Sequence, residues 1–493
     1  MSTKTSGPIR HGGLWLLAAL AMGLSVYALN GGLLFYFDTA GYMSQGLTAL
    51  DSLNLLPPPP VEAQGGGTAA SIPSDTGDTV NGSRSLFYGL VLAVLASYAR
   101  LDLILLLDVL VVFLTVWLLL RVAQRVDRVM VAPVTLTGAA LFVACFGALP
   151  FYLAYVMPDI LAPILILIVA LFAGYANRMQ VWEIALALIL GFAAVLSHPS
   201  HLAMAMLSLP LAALIAGLVQ RPSFWVAPVL VGLLIAGGMA ERVLFRMQVT
   251  ERTGSEVLYN PYITARLIQD GPGYAYLQDN CPDADQATCT LYEALQNSED
   301  PMRLTATHII FEETPELGSL RHLDELTQKS IGDAQYQFFL DVLIDRPLHV
   351  VGAFLNNTLH QATLFSIHQT IPNDGARRSV LENPEVPSGL FTDGRLRRDQ
   401  GWYSAVYAVQ AALYTLSLIA ILVLLVKPSA LSARMRALTV MVLLGILVNA
   451  FVCGALSQPA ARYGARVIWL LPLLAVILWG FARAEPVGGE RNE

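Results

Sequence analysis

The chain has 493 residues, of which 55% are hydrophobic and only 13% are charged. In soluble domains about a quarter of the residues are charged, so this composition excludes an ordinary soluble protein and predicts a polytopic membrane protein. The 29 basic residues are outnumbered by 36 acidic ones and form no basic run, so nothing indicates a nucleic-acid partner.

Ten apolar runs are long enough, at about 20 residues each, to be counted as membrane-spanning helices. No small-residue cleavage site follows a short core in the first run, which we therefore interpret as a retained helix rather than a signal peptide. The runs lie near residues 13–36, 103–120, 129–150, 155–175, 181–197, 200–219, 223–241, 402–426, 437–457 and 464–482. The predicted fold is an all-α polytopic membrane protein with about ten transmembrane helices.

Two stretches lie between the first and second runs. One is rich in Pro, Gly and Ser, with four prolines at 57–60 and three glycines at 65–67, and predicts a flexible or extended loop. The other, the short apolar stretch 86–99, either crosses the membrane or lies at its surface. Basic residues decide between these alternatives, because short cytoplasmic loops are enriched in Lys and Arg.

If 86–99 does not cross and the N-terminus is cytoplasmic, basic residues are concentrated on the inner side. The inner ones are Lys4, Arg10, Arg121, Arg125, Arg128, Arg178, Arg221, Lys427, Arg434, Arg436, Arg483 and Arg491, against Arg84, Arg100, Arg462 and Arg466 outside. If 86–99 crosses, the cluster at 121–128 moves outside and every later segment inverts. We therefore predict that both termini are cytoplasmic, in a bacterial-type inner membrane, with a first outer loop at 37–85.

This topology divides the chain into an N-terminal membrane bundle at 1–241, an extracytoplasmic domain at 242–401 and C-terminal membrane helices with a short cytoplasmic tail at 402–493. The extracytoplasmic domain lies between predicted helices seven and eight. Gly/Pro turns alternate there with amphipathic stretches, so it is expected to be mainly helical.

Two of the four cysteines, Cys281 and Cys289, lie in the predicted extracytoplasmic domain. On the oxidising outer side of such a membrane they are expected to form a disulfide, the alternative being two free thiols. Cys145 and Cys453 fall in apolar runs and are interpreted as packing residues.

Polar residues collect where the predicted helices meet the outer side of the membrane. Ionisable groups there are costly unless they are solvated, paired or functional. Each also has a structural alternative, because Asp is a preferred helix cap, turn histidines are more often structural than metal-binding, and an arginine can anchor a helix at the membrane edge. The residues are Asp38, Tyr42, Arg84, Asp159, His198, His201, Arg462 and Tyr463. As a set they indicate one outward-facing site.

Four of these motifs together resemble a known superfamily. They are FDTAGY at 37–42, RSLFY at 84–88, MPD at 157–159, and Arg462 with Tyr463 before an apolar helix that contains Pro472. Over the membrane part, about two-thirds of the chain, they resemble the GT-C superfamily of polyprenyl-phosphate-sugar-dependent glycosyltransferases. The resemblance implies a helical bundle, amphipathic helices in the first outer loop, a lipid-linked sugar donor, and Asp38 as the catalytic carboxylate.

The chain departs from the superfamily at one point. Many members carry an acid pair in the first outer loop, whereas here no acidic residue follows Asp38 before Asp51. No cofactor or metal ligand is therefore assigned, and a divalent cation is left open.

The chemistry also follows from the residues themselves. A lipid phosphate leaving group is anionic, and the arginine fork holds two phosphate oxygens. An acceptor hydroxyl must lose a proton as it attacks the anomeric carbon, and Asp38 is the predicted general base of an inverting transferase. The predicted donor-binding residues are Arg84, Arg462, Tyr42 and Tyr463, with secondary candidates Asp159, His198, His201, Arg395, Arg397 and Arg398.

The acceptor would be a surface glycan, a lipid or a protein. Two other functions stay open. A transporter or flippase for a lipid-linked sugar would need polar residues at mid-membrane depth, where the apolar runs are nearly free of charge. A non-catalytic GT-C-like scaffold in envelope polysaccharide assembly would need no catalytic carboxylate.

Overall fold

A computed structural model describes residues 8–52, 55, 79–282, 287–384, 386–398, 400–427 and 430–484. The prolines at 57–60, the glycines at 65–67 and the predicted cytoplasmic tail beyond residue 484 lie outside the described residues, as do residues 1–7.

The described residues are almost entirely helical. The helices up to residue 253 are α1 (Pro8–Gly23), α2 (Ser25–Asn30), α3 (Phe37–Ser52), α4 (Leu86–Ser97), α5 (Leu103–Asp127), α6 (Pro133–Ala144), α7 (Leu149–Leu153), α8 (Leu161–Tyr175), α9 (Val181–Ser197), α10 (Pro199–Val219) and α11 (Val226–Thr253). Those that follow are α12 (Tyr262–Gln269), α13 (Pro272–Asn280), α14 (Ala287–Gln296), α15 (Ala306–Phe311), α16 (Glu325–Asp345), α17 (Pro347–Thr363), α18 (Asp374–Leu381), α19 (Tyr403–Val426), α20 (Ala433–Ala455), α21 (Ala461–Ile468) and α22 (Leu470–Arg483).

Eight segments among the described residues are long and apolar enough to cross a membrane. They are Gly12–Asn30, Leu103–Asp127, Pro158–Arg178, Pro199–Val219, Val226–Arg252, Tyr403–Val426, Ala433–Ala455 and Ala461–Arg483. Three shorter apolar helices, α4, α6 and α9, coincide with the predicted stretches 86–99, 129–150 and 181–197. The chain is therefore an all-α, multi-pass membrane protein.

The first apolar run continues past the end of its helix. Helix α2 ends at Asn30 because Gly31 adopts a left-handed conformation (φ 77°) and its N–H caps Tyr27 O. Residues 31–36 are not helical, because 31 and 32 form a turn and a bend and Leu34 then forms a bridge. Hydrophobicity predicted the run to residue 36, but the glycine sets the helix end.

The run at 223–241 shows the opposite difference. Helix α11 continues as far as Thr253, where Gly254 (φ 70°) closes it with a hydrogen bond to Thr250 O. The helix therefore continues through the charged residues after 241, which do not mark its end.

Helix α8 is the centre of the membrane bundle, and all of its residues are buried. Helices α5, α9, α10 and α20 pack around it. A helix that is apolar on all sides is stable only in such surroundings.

Helices α3 and α4 cross at two glycines. A Cβ on Gly46 would lie 2.0 Å from Gly89 O, and one on Gly89 would lie 2.7 Å from Tyr42 O. Only glycine permits this backbone contact. The crossing brings the motif at 37–42 beside the motif at 84–88, although about 40 residues separate them in the sequence.

The region that follows α11 has its own hydrophobic cluster, built mainly from α12, α14, α15 and α16. A short parallel sheet pairs β1 (Thr79–Asn81) with β2 (Glu256–Leu258), with Thr79 opposite Glu256. It ties the segment that precedes α4 to this region. The predicted Cys281–Cys289 disulfide is present.

Replacing both cysteines by serine should lower the free energy of unfolding by about 2–3 kcal/mol. The reason is that the unfolded chain gains conformational entropy once the disulfide no longer closes this short loop. Intact mass with and without reductant should differ by two hydrogens. Two alkylatable thiols at 281 and 289 in unreduced protein would contradict the prediction.

Candidate active site

Backbone hydrogen bonds join segment 31–36 to the segment that leads into α8. Leu34 N–H donates to Ala154 O at 2.7 Å, and Val156 N–H donates back to Leu34 O at 2.8 Å. Thr39 Oγ1 accepts from Tyr36 N–H at 2.9 Å and donates to Val156 O at 3.1 Å. The start of α3, with Asp38, is thereby held beside Asp159.

Asp38 lies in the first turn of α3, not before it, since the helix begins at Phe37. Arg84 Nη2 approaches Asp38 Oδ1 at 3.2 Å, and Arg462 Nη2 lies 3.7 Å from Oδ2. The Asp38 side chain is 36% exposed, whereas that of Arg462 is only 10% exposed. Among the described residues, its carboxylate bonds to a side chain and not to the backbone of α3, so the structure does not show the capping alternative.

Arg462 is enclosed by aromatic rings. Its guanidinium carbon lies 4.2 Å from the ring centroid of Tyr36 and 4.7 Å from that of Tyr463, and Nη2 donates to the Tyr463 hydroxyl at 2.8 Å. Cation–π contacts of this kind favour a guanidinium that has lost its water. The backbone of Arg462 is held as well, because its N–H donates to Gln369 Oε1 and its carbonyl accepts from the Tyr152 hydroxyl. An arginine that anchors a helix at the membrane edge would extend its side chain into water, whereas the side chain of Arg462 is buried.

Two guanidinium nitrogens of the site have no partner among the residues that the structure describes. Arg462 Nη1 and Arg84 Nε are both buried and make no hydrogen bond. A buried N–H without an acceptor is costly in free energy, and native proteins contain few of them. The two arginines approach the Asp38 carboxylate through their Nη2 atoms, so each guanidinium has donor capacity beyond that contact.

Gly41 makes the room that Arg84 occupies. A Cβ at Gly41 would lie 2.5 Å from Arg84 Cζ and 2.7 Å from Arg84 Nε. Gly41 is one turn of α3 beyond Asp38, so any larger residue would push the guanidinium away from the carboxylate.

Asp159 forms a second, fully buried ion pair with Arg466. Arg466 Nη1 lies 3.1 Å from Asp159 Oδ1, and the two side chains are 1% and 4% exposed. Arg466 also donates to Asn449 Oδ1 from Nε and from Nη2, at 3.1 and 2.8 Å, and to Cys453 Sγ at 3.1 Å. Asp159 is therefore part of a satisfied polar network and not a free helix cap.

Arg466 had not been singled out from the sequence as a site residue. Arg462 and Arg466 are four residues apart on α21, which places both on one side of the helix and both against Tyr463. That spacing inside an otherwise apolar run is the signal that could have identified it. Asn449 carries no comparable signal, because a single polar residue in a long apolar helix points to no particular partner.

The two histidines are structural. His198 Nδ1 accepts from Ser200 N–H at 3.0 Å and so caps α10. Burial, with Arg466 and Arg462 nearby, lowers the pKa of His198, which is therefore neutral at pH 7. His201 Nδ1 lies 2.8 Å from Ala194 O and 3.2 Å from Ser197 Oγ.

The described residues contain no group of three or more His, Cys, Asp or Glu that could hold a metal ion. Asp38 and Asp159 are each already opposed by a guanidinium. These residues do not fit a metal, so no step is derived through one.

The remaining predicted site residues have other roles. Tyr42 is buried under α4, with its ring 5.3 Å from that of Tyr88, so a donor cannot reach it. Arg397 pairs with Asp374 and with Asp393, and Arg398 reaches the Asp393 carbonyl. Arg395 lies against Gly31. None of these three arginines makes a contact with Asp38 among the described residues.

Asp159→Asn should lower the free energy of unfolding by about 3–5 kcal/mol, because it leaves Arg466 buried and without its counter-charge. The thermal unfolding midpoint in detergent measures this. The matched control is Asp102→Asn, which breaks an exposed pair with Arg100 and should cost about 0–1 kcal/mol. Equal losses in the two variants would contradict the assignment.

No family model and no curated protein matches this chain. Among solved structures, the chain is similar to the crystal structure of ArnT from Cupriavidus metallidurans in the apo state. The similarity covers 95% of this chain and 77% of that chain, with 12% sequence identity and a TM-score of 0.33.

Proposed function

We propose that the protein is a membrane glycosyltransferase which moves a sugar from a polyprenyl-phosphate donor to an extracytoplasmic acceptor. The observation that supports this most directly is the pair of arginines, Arg84 and Arg462, that approach the two oxygens of Asp38, each with one guanidinium nitrogen that has no partner among the described residues. A phosphate oxyanion matches these guanidiniums in charge and in hydrogen-bonding capacity. The rings of Tyr36 and Tyr463 keep water from Arg462 and strengthen the attraction.

Asp38 is the proposed general base. A bound phosphate would compete with the carboxylate for both guanidiniums and leave it free to accept a hydrogen bond from the acceptor hydroxyl. The bond between the acceptor oxygen and the anomeric carbon then forms as the bond from that carbon to the phosphate oxygen breaks. The hydroxyl proton passes to Asp38, polyprenyl phosphate leaves, and a single displacement inverts the configuration at the sugar.

The proposed topology places this site outside a bacterial-type inner membrane, with both termini in the cytoplasm. Nucleotide sugars are absent from that outer compartment, so a transferase there needs a donor anchored in the bilayer. A surface glycan, a lipid or a protein would be the acceptor.

One observation favours the transporter or flippase alternative. Asp108 lies on the candidate span α5, is 5% exposed, and its Oδ2 has no hydrogen-bond partner among the described residues. Carboxylates inside membrane helices often mark transport paths. The transferase remains the proposal, because the unused cationic donors surround Asp38 at the outer edge and not Asp108.

Donor binding tests the role of the arginines. Arg84→Ala and Arg462→Ala should each weaken binding of a short-chain polyprenyl phosphate by about 1.5–3 kcal/mol, since each removes a charge-assisted hydrogen bond. Gly41→Ala should act in the same direction without changing any charge, because its methyl group displaces Arg84. The control is Gly217→Ala, where nothing lies within 4 Å. Unchanged affinity in both arginine variants would refute the proposed phosphate site.

Asp38→Asn separates the proposed functions. The amide keeps the shape of the side chain but cannot take the proton, so the transfer rate should fall by about 10²–10⁴-fold. Complementation of a deletion strain, scored as surface-glycan composition with membrane expression measured alongside, gives the readout. A well-expressed variant that restores the full glycan would exclude Asp38 as the base and leave the scaffold or transporter.

Labelling with an impermeant thiol reagent in intact cells tests the topology. Gln124→Cys and Lys427→Cys should stay unlabelled because both are predicted to face the cytoplasm. Glu293→Cys, in the outer region, is the positive control. Labelling at 124 would invert the map and place the Asp38 site on the wrong side of the membrane for a lipid-linked donor.

A further inference from the structure

Helix α17 has an unusual composition for a helix in an aqueous domain. Its 17 residues, PLHVVGAFLNNTLHQAT, include no Lys, Arg, Asp or Glu. Helices that face water ordinarily have a charged or polar side opposite the apolar one. Here the side that packs on the protein and the side that points away are both largely apolar.

The exposed side of α17 continues onto the end of α16. Leu340 and Ile344 on α16 are 47% and 79% exposed. On α17, Leu348, Val351, Leu355 and Leu359 are exposed by 84%, 49%, 60% and 68%. Spacings of three and four residues line these side chains along one face of each helix. An apolar surface of this extent is the mark of an interaction site or of a membrane.

The opposite side of α17 packs lengthwise on the membrane span α20. Gln361 Nε2 donates to Ala460 O at 3.0 Å, just beyond the outer end of α20. Further along, a Cβ at Gly454 would lie 2.6 Å from Asn357 O, and the ring of Phe354 lies 6.0 Å from that of Phe451. Lower residue numbers in α17 therefore meet lower numbers in α20, so α17 runs towards the membrane as it approaches Pro347.

The Asp159–Arg466 network gives the level that α17 reaches. Asn449, two residues before Phe451 on α20, is bonded to Arg466, which pairs with Asp159. Asp159 stands at the start of the span Pro158–Arg178. Phe354 thus lies near the level at which this span begins, and the first turns of α17 lie at that level or below it.

We infer that the end of α16 and the start of α17 form a helical hairpin that is immersed in the outer leaflet of the bilayer. The occupant of the exposed apolar face is lipid, because the opposite side of α17 packs along the membrane span α20. The charges at the tip are paired, as ionisable groups at this depth must be, because Arg346 pairs with Asp345 at 3.0 Å and also with Asp279. The inference does not depend on the proposed glycosyl transfer.

Spin labels on the full chain in lipid nanodiscs test this inference. Leu348→Cys, Leu355→Cys and Leu359→Cys would be labelled and their collision rates measured with oxygen, which partitions into lipid, and with a water-soluble nickel chelate. Leu416→Cys on the span α19, 66% exposed, is the lipid control, and Glu293→Cys on α14 is the water control. The wild-type chain supplies the background, since Cys145 and Cys453 are buried.

The expected result is that oxygen exceeds nickel at 348 and 355, as at 416, with the reverse at 293. The ratio of oxygen to nickel should fall from 348 to 359, because α17 rises out of the leaflet in that direction. Nickel access at 348 and 355 equal to that at 293 would overturn the inference. Protection from both reagents would also overturn it, since it would mean that another protein or a second copy covers the face.

Discussion

The site depends on two carboxylates that must be neutralised where the membrane helices end. An ionised group at this depth is stable only when a counter-charge and further hydrogen bonds replace its water. Asp159 meets that condition completely, through Arg466 and its bonds to Asn449 and Cys453. Asp38 meets it only in part, because its side chain is more exposed and its two arginines keep unused donors. The buried Asp159–Arg466 pair therefore has a structural role, whereas the partly exposed Asp38 is the carboxylate that solvent can reach.

Backbone contacts decide that the two carboxylates share one site. The bridge between Leu34 and Tyr155 and the bonds of Thr39 hold the first outer loop against the start of α8. The crossing at Gly46 and Gly89 then brings α4, preceded by Arg84, against α3. No long side chain is needed for either contact, so the geometry depends on the backbone and on glycine.

Helix α17 and the residues after it are coupled to the same site by hydrogen bonds to the start of α21. Gln369, between α17 and α18, accepts a hydrogen bond from the backbone N–H of Arg462. Gln361 on α17 donates to the backbone carbonyl of Ala460 and accepts from its N–H. If the start of α17 is held in the lipid, the depth of the leaflet helps to set the position of Arg462. A lipid-linked phosphate would then meet its guanidinium at a height that the bilayer itself defines.

Hydropathy determined that this is an all-α membrane protein, and the position of two cysteines in one predicted outer domain led to the expected Cys281–Cys289 disulfide, because both depend on local sequence. The motifs also pointed to Asp38, Arg84 and Arg462. Only the tertiary structure decided which polar residues meet. It set Arg395, Arg397 and Arg398 apart from Asp38, enclosed Tyr42 and gave Asp159 its partner Arg466. The pairings of the site join residues as far apart in the sequence as Asp38 and Arg462, and a contact at that separation is fixed by how helices pack and not by the pattern along any one of them.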